Sequence, residues 1–206
     1  MSPKVSKEHM ELRKATILEA AKAVFIEHGY ERTTMKLIMD AAKVSRGGLY
    51  QYFSNKEVVY ETILQEALNR FSKETKDLLE GEVPSYWELL LLCMFGSEQQ
   101  PDDKMDPMAP SNLEFFITGK HDPRRREYGA MRYNNGLTLY KKVIEQGQKS
   151  GEFSIDYDSE IIARTILTFT DGLALGHSIL PQETIRLKEQ STLFVVYLKK
   201  VLNVSL

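Results

Sequence analysis

The sequence predicts an all-α protein: a small amino-terminal three-helix domain with a helix-turn-helix, followed by a larger carboxyl-terminal helical domain. Three observations carry this. Apolar residues recur at three- and four-residue spacing along most of the chain, and nothing alternates long enough to argue for a sheet. Gly29, Gly81 with Pro84, the stretch 96–110 and Pro181 punctuate the periodic segments. Between Thr33 and Lys56 two very short segments flank a break at Lys43-Val44-Ser45, and the second is small enough to enter a major groove.

In chain order, Met1 to about Lys4 is expected to be an arm. A helix then runs from about Ser6 to His28, with Ile17, Ala21, Val24 and Phe25 on one stripe. Gly29 is placed to end it as a left-handed cap, with Tyr30 packing back. Thr33 and Thr34 are N-cap types, and Leu37, Ile38 and Ala41 give the next short helix a buried face. Ser45 caps a second short helix, Arg46 to Tyr52, whose inward side is Val44, Leu49 and Phe53. If the intervening turn needs positive φ, Lys43 bears the strain. Gly47 and Gly48 are poor choices for stability at roughly 1 kcal/mol each relative to alanine, and make sense where backbone must come close to DNA.

The residues Thr33, Thr34, Ile38, Ala41, Ala42, Val44, Ser45, Gly47, Leu49, Tyr50, Tyr52, Phe53, Asn55, Lys56 and Glu57 resemble the DNA-binding domain of TetR-type transcriptional regulators. The likeness extends back through Ile17, Ala20, Ala21, Phe25 and Gly29-Tyr30, covering the first quarter to third of the chain. It implies that Thr33, Thr34, Tyr50, Tyr52 and Lys56 meet the DNA backbone, with Lys36 a further contact. Ser45, Arg46, Gly47, Gly48 and Gln51 are the candidates for the groove edge. Arg46 either reads a guanine or binds phosphate; Gln51 either reads an adenine or faces water. The sequence departs from the family at Lys43, often glycine, at Met39, usually small, and at Gly48, where many relatives carry a hydroxyl or a small apolar group.

From Asn55 a connecting helix runs to about Leu79, with Val58, Val59, Ile63, Leu64, Ala67, Leu68 and Phe71 as its apolar positions. The expected division is a DNA-binding domain over 1–56 and a ligand-binding and dimerisation domain over 57–206. Within the second, Leu89 to Phe95 reads as a buried helix and 96–110 as a loop. Short and long helices follow at Asn112 to Thr118 and Arg124 to about Ser150. The last two, Asp158 to Leu180 and about Gln182 to Leu202, are apolar enough to make a four-helix seam with a second copy, through Ile166, Gly172, Gly176, Phe194, Tyr197 and Val201. The resemblance further implies a pocket for a small molecule. The aromatic residues Trp87, Phe95, Phe115, Tyr133 and Phe169 suit a hydrophobic, possibly planar effector.

Composition agrees. Residues 1–56 hold 10 Lys and Arg against 6 Asp and Glu, and the remainder 17 against 23, a basic head on an acidic body. The single cysteine, Cys93, excludes an internal disulfide framework, no apolar run is long enough to span a bilayer, and the charged amino-terminal stretch is unlike a signal peptide. A cytoplasmic location is expected. His9, His28, His121 and His177 lie far apart, and no phosphate-cradling loop or nucleophile elbow occurs, so no catalysis, metal or cofactor is expected. The reading is therefore a transcriptional regulator, probably a ligand-responsive repressor, binding a near-palindromic DNA operator as a homodimer. The alternative is an all-α dimeric ligand-binding or interaction protein without specific DNA binding.

Overall fold

The computed structural model describes residues 7–81 and 83–204, all helix and connecting turn; the expected arm at Met1 to Lys4 lies outside them. The chain divides into two compact units, one of residues 1–69 with 107–126, the other of 70–106 with 127–206.

The first unit holds α1 (Lys7–Arg32), α2 (Met35–Ala42), α3 (Arg46–Tyr50), the start of α4 (Lys56–Glu80) and α6 (Ala109–Thr118). The expected stripe of α1 is buried, together with Leu18 and Tyr30. At Gly29 the backbone takes φ 75°, ψ 171°, so the residue is a sharp kink and not the expected left-handed cap. That region is essentially closed to residues with a Cβ. A Cβ there would also lie 2.6 Å from Glu114 Oε1. The Glu114 carboxylate accepts from the Glu31 N–H at 3.0 Å, just beyond the kink. In α2 Ile38 is buried and Leu37 half-buried, but Ala41 is exposed, because the helix has only eight residues and one narrow inward face. In α4, likewise, Ala67 faces outward, whereas Tyr60 is fully buried.

The expected loop over 96–110 is shorter than foreseen. A 3-10 turn occupies Gly96–Glu98, and α6 begins at Ala109 with Pro110 in its first turn, where a missing N–H costs nothing. α6 is tied to the first unit by Ser111 Oγ donating to the Phe25 carbonyl at 2.6 Å and by the Tyr60 hydroxyl donating to Asn112 Oδ1 at 2.7 Å.

The second unit contains the rest of α4, α5 (Tyr86–Phe95), most of α7 (Pro123–Ser150), α8 (Ser159–Ile179), α9 (Gln182–Ile185) and α10 (Leu187–Leu202). Its core packs Leu89, Leu90, Leu139, Val143, Ile144, Ile162, Ile166 and Leu198. Only Leu89 and Leu90 of the apolar run are fully buried; the other five residues to Phe95 are half-exposed, save as packing around that core. The expected last helix is interrupted at Arg186 (φ 47°, ψ 55°), which lets Ile185 and Leu187 both turn inward beside Leu173.

α5 starts on an anion. The Glu152 carboxylate accepts from Ser85 Oγ at 2.7 Å, Trp87 N at 2.9 Å and Tyr86 N at 2.8 Å. Partial burial opposes ionisation, but these three donors prevail and hold the Glu152 pKa below its ordinary value of 4.5. A lowered folded-state pKa stabilises fully above the unfolded value and loses that contribution as pH falls through the folded one. Glu152→Ala is expected to cost about 1–2 kcal/mol at neutral pH. In urea unfolding the gap to the parent protein should narrow as the pH is lowered below about 4.5.

Candidate nucleic-acid interface

The candidate interface is the turn between α2 and α3 with the exposed side of α3. Thr34 is the N-cap of α2, its Oγ1 accepting from Leu37 N at 3.2 Å. Ser45 is the N-cap of α3, its Oγ accepting from Gly48 N at 3.1 Å. Between them Lys43 adopts φ 53°, ψ 44°, and its N–H reaches the Asp40 carbonyl at 3.3 Å. The turn therefore needs the left-handed conformation, and lysine adopts it at an energetic cost without disrupting either helix.

α3 is shorter than expected. Regular helix ends at Tyr50, and Gln51, Tyr52 and Phe53 follow as a turn whose N–H groups still point back to Gly47 and Leu49. Leu49 and Phe53 plug this turn into the core, leaving Ser45, Arg46, Gly47, Tyr50 and Gln51 exposed on the other side. The Arg46 guanidinium lies 5.6 Å from the Tyr50 ring centroid. A Cβ on Gly47 would meet nothing within 4 Å, so internal packing does not require glycine there; the bare backbone matters only to an external partner. At Gly48 a Cβ would lie 3.2 Å from the capping Ser45 Oγ. Lys36 is exposed on the outer side of α2.

Three expected backbone contacts have internal roles instead. Thr33 is 1% exposed, and its hydroxyl donates to the Gly29 carbonyl at 2.6 Å, so its side chain is withdrawn from any surface. Lys56 Nζ donates to the Tyr30 and Glu31 carbonyls at 2.8 and 2.9 Å, closing the end of α1, and lies 4.5 Å from the Tyr30 ring centroid. Tyr52 is half-buried against the core. Sequence reasoning missed the support beneath them. Arg125, at the start of α7, pairs with Glu57 at 2.6 Å, donates to the Tyr30 hydroxyl at 2.9 Å and lies over the rings of Tyr30 and Phe115. Burial opposes the charge of Arg125, yet its bond to Glu57 leaves its pKa raised. Burial pushes the Tyr30 phenol well above its ordinary value, with the Arg125 charge opposing, so it remains a neutral hydroxyl. No local signal marks Arg125, because its partners lie 68 and 95 positions away.

The residues expected around an effector are not brought together. Phe115 is fully buried in the first unit against Tyr30, Tyr60 and Phe116, which fills its surroundings and leaves no room for a ligand. Trp87, Phe95, Tyr133 and Phe169 belong to the second unit, where the Tyr133 hydroxyl accepts from Arg164 at 3.0 Å and Phe169 stacks on Phe194 at 3.9 Å. A cavity of about 640 Å³ between α4 and α7 contains none of the five. Cys93 is half-buried, and burial pushes its thiol up to about 11, the opposite of a reactive thiolate.

The residues proposed from sequence for a dimer seam also divide. Ile166 is fully buried and Phe194 nearly so, and both belong to the chain's own core. Gly176 is covered by Ile185. Val201 is half-buried, whereas Gly172 and Tyr197 are exposed. Around them runs an uncovered apolar strip: Ile161, Leu175 and Ile179 on α8, Leu193 and Val196 on α10. Among the described residues no group of three or more metal-ligating side chains is assembled, and no helix is long and apolar enough to cross a membrane.

Residues 17–63 match the model of bacterial regulatory proteins of the tetR family, and residues 96–188 that of the tetracyclin repressor-like C-terminal domain. The HTH-type transcriptional regulator YfiR of Bacillus subtilis is 32% identical over 203 residues, 98% of this chain and 98% of its own. Among solved structures, Salmonella enterica GusR superposes with a TM-score of 0.70 at 24% identity, covering 97% of this chain and 99% of that one. FadR from Bacillus subtilis, solved in complex with stearoyl-CoA, gives 0.61 at 18% identity over 88% and 97%.

Because Lys43 carries left-handed strain that glycine does not, Lys43→Gly should stabilise the chain by roughly 0.5–1 kcal/mol, net of glycine's greater unfolded-state entropy. Thermal unfolding measures it; a destabilised variant contradicts the account of the turn.

Proposed function

The chain belongs to the TetR family of bacterial regulatory proteins, and from that premise we propose that it is a ligand-responsive repressor acting as a homodimer on a near-palindromic operator. That it is a DNA-binding transcriptional regulator follows from the family; the rest is our reading. The observation that carries it is the exposed side of α3, where capped helices present Arg46, Gln51 and the bare backbone of Gly47 with no internal use for any of them. Arg46 and Gln51 are the proposed base readers. Thr34, Lys36, Ser45 and Tyr50 are the proposed phosphate contacts, and Lys56 and Thr33 act by holding the end of α1.

The apolar strip on α8 and α10 supports the dimer, since a monomer leaving Ile161, Ile179 and Leu193 each at least 60% exposed keeps a large apolar area in water. Two heads on one duplex require half-sites about one helical turn, roughly 34–36 Å, apart. A small molecule binding the second unit would favour a state of lower operator affinity, by no more than the ratio of its affinities for the two states. A ligand in the FadR structure agrees with such a site in this fold. The protein acts in the cytoplasm, where its operator is.

Two measurements test this. On duplex DNA, Arg46→Ala and Gln51→Ala should each lose about 1–3 kcal/mol of discrimination between operator and unrelated sequence, while Lys36→Ala weakens binding to both and flattens the salt dependence. Equal losses on every sequence for all three variants would remove the assigned base readers. In light scattering, Tyr197→Glu with Leu193→Glu should convert the dimer to monomer, because two carboxylates cannot be buried unpaired in an apolar seam. A variant that stays dimeric places the seam elsewhere.

A further inference from the structure

The cavity between the second half of α4 and the middle of α7 has a lining that helix packing does not explain. Ser72 and Thr75 project from α4, and Asn135, Thr138, Lys142 and Gln146 recur on successive turns of α7. A seam between two helices ordinarily closes on apolar side chains. Here Phe71 and Tyr86 supply one apolar wall and the remainder is hydrogen-bonding.

The polar groups are also unspent. Elsewhere helix threonines return their hydroxyls to the carbonyl four residues back, as Thr62, Thr165, Thr170 and Thr192 do at 2.7–2.9 Å. No such bond is formed by Thr75 or Thr138, and the side chains of Lys142 and Gln146 engage no described group. The only bond across the cavity is a long one, Asn135 Nδ2 to Ser72 Oγ at 3.5 Å. Charge is uneven as well. Lys76 faces Glu80 at 3.9 Å and Glu145 faces Lys141 at 3.9 Å, which leaves Lys142 as the cation without a counter-ion.

We propose that this groove binds a small hydroxylated carboxylic acid of the sugar-acid class, its carboxylate on Lys142 and its hydroxyls on Thr75, Thr138 and Gln146. The inference rests on the reading of the chain as a ligand-responsive regulator and gives that ligand a chemistry. A volume of about 640 Å³ accommodates such a molecule with its ordered water. The hydrophobic, planar effector expected from the aromatic content finds no matching enclosure here. Unsatisfied hydroxyl and amide groups reject apolar molecules, because burial would strand their hydrogen bonds.

The test is calorimetric titration of the full-length protein with gluconate and with glucuronate, using glucose as the uncharged comparison. At least one acid should bind saturably, and more tightly than glucose. Lys142→Ala and Thr138→Val, both exposed positions, should each weaken that acid by about tenfold or more while circular dichroism stays unchanged. Absence of saturable binding by both acids, or affinity indifferent to both substitutions, overturns the assignment. Retention on operator DNA, measured without any acid, is read separately. A protein that holds its operator and ignores both acids refutes only the groove. One that binds an acid through Lys142 but no DNA upholds the groove and refutes the regulator.

Discussion

The position of α3 depends on how α1 ends, and α1 ends on Tyr30. The kink at Gly29 drops the Tyr30 ring among Phe25, Tyr60 and Phe115, with centroids 4.9–6.1 Å from its own. Lys56 and Arg125 then press on it as cations, one also bonded to the last carbonyls of α1 and the other to the phenol oxygen. Edge-on aromatic pairs and desolvated cations over rings each add on the order of 1 kcal/mol beyond burial. What they secure is a direction. Thr33, bonded to Gly29, begins the connection into α2, so the register of the reading helices is set before α2 starts.

This explains which parts of the site were legible in the sequence. Caps are local, and Thr34, Ser45 and Asp158 stand where their residue types and the following periodicity put them. The buried stripe of α1 and the plug residues Leu49 and Phe53 follow from spacing alone. Illegible were roles assigned by distant partners. Thr33 and Lys56 look like surface donors until Gly29 and the end of α1 are in place, and Arg125 sits in a run of three arginines that resembles a solvated helix start. Counting aromatics could not separate Phe115, locked in the first unit, from residues of the second. The same holds for Ile166, whose apolar neighbours on α8 alternate between the chain's own core and the outside. Lys43 is a different case. Its departure from glycine suggested a damaged turn, but the turn is intact and only its cost has changed.

The second unit has two surfaces its own folding leaves unfinished, and they differ in chemistry. The strip on α8 and α10 is apolar and suits another copy of itself; the groove on α4 and α7 is polar and suits a small solute. α4 and α7 each begin among residues of the first unit and end among residues of the second. A solute that alters their spacing therefore acts on helices that also belong to the reading head. Its effect on operator affinity is bounded by its preference for one state, so millimolar ligands with modest selectivity give partial release and not an all-or-none switch.

The most direct test of the central claim is selection from a random duplex library by the full-length protein, followed by sequencing of the retained fragments. The account predicts an inverted repeat whose two halves are about one helical turn apart, with one dimer retained per site. Fragments without symmetry, or no enrichment even in dilute salt, would contradict it.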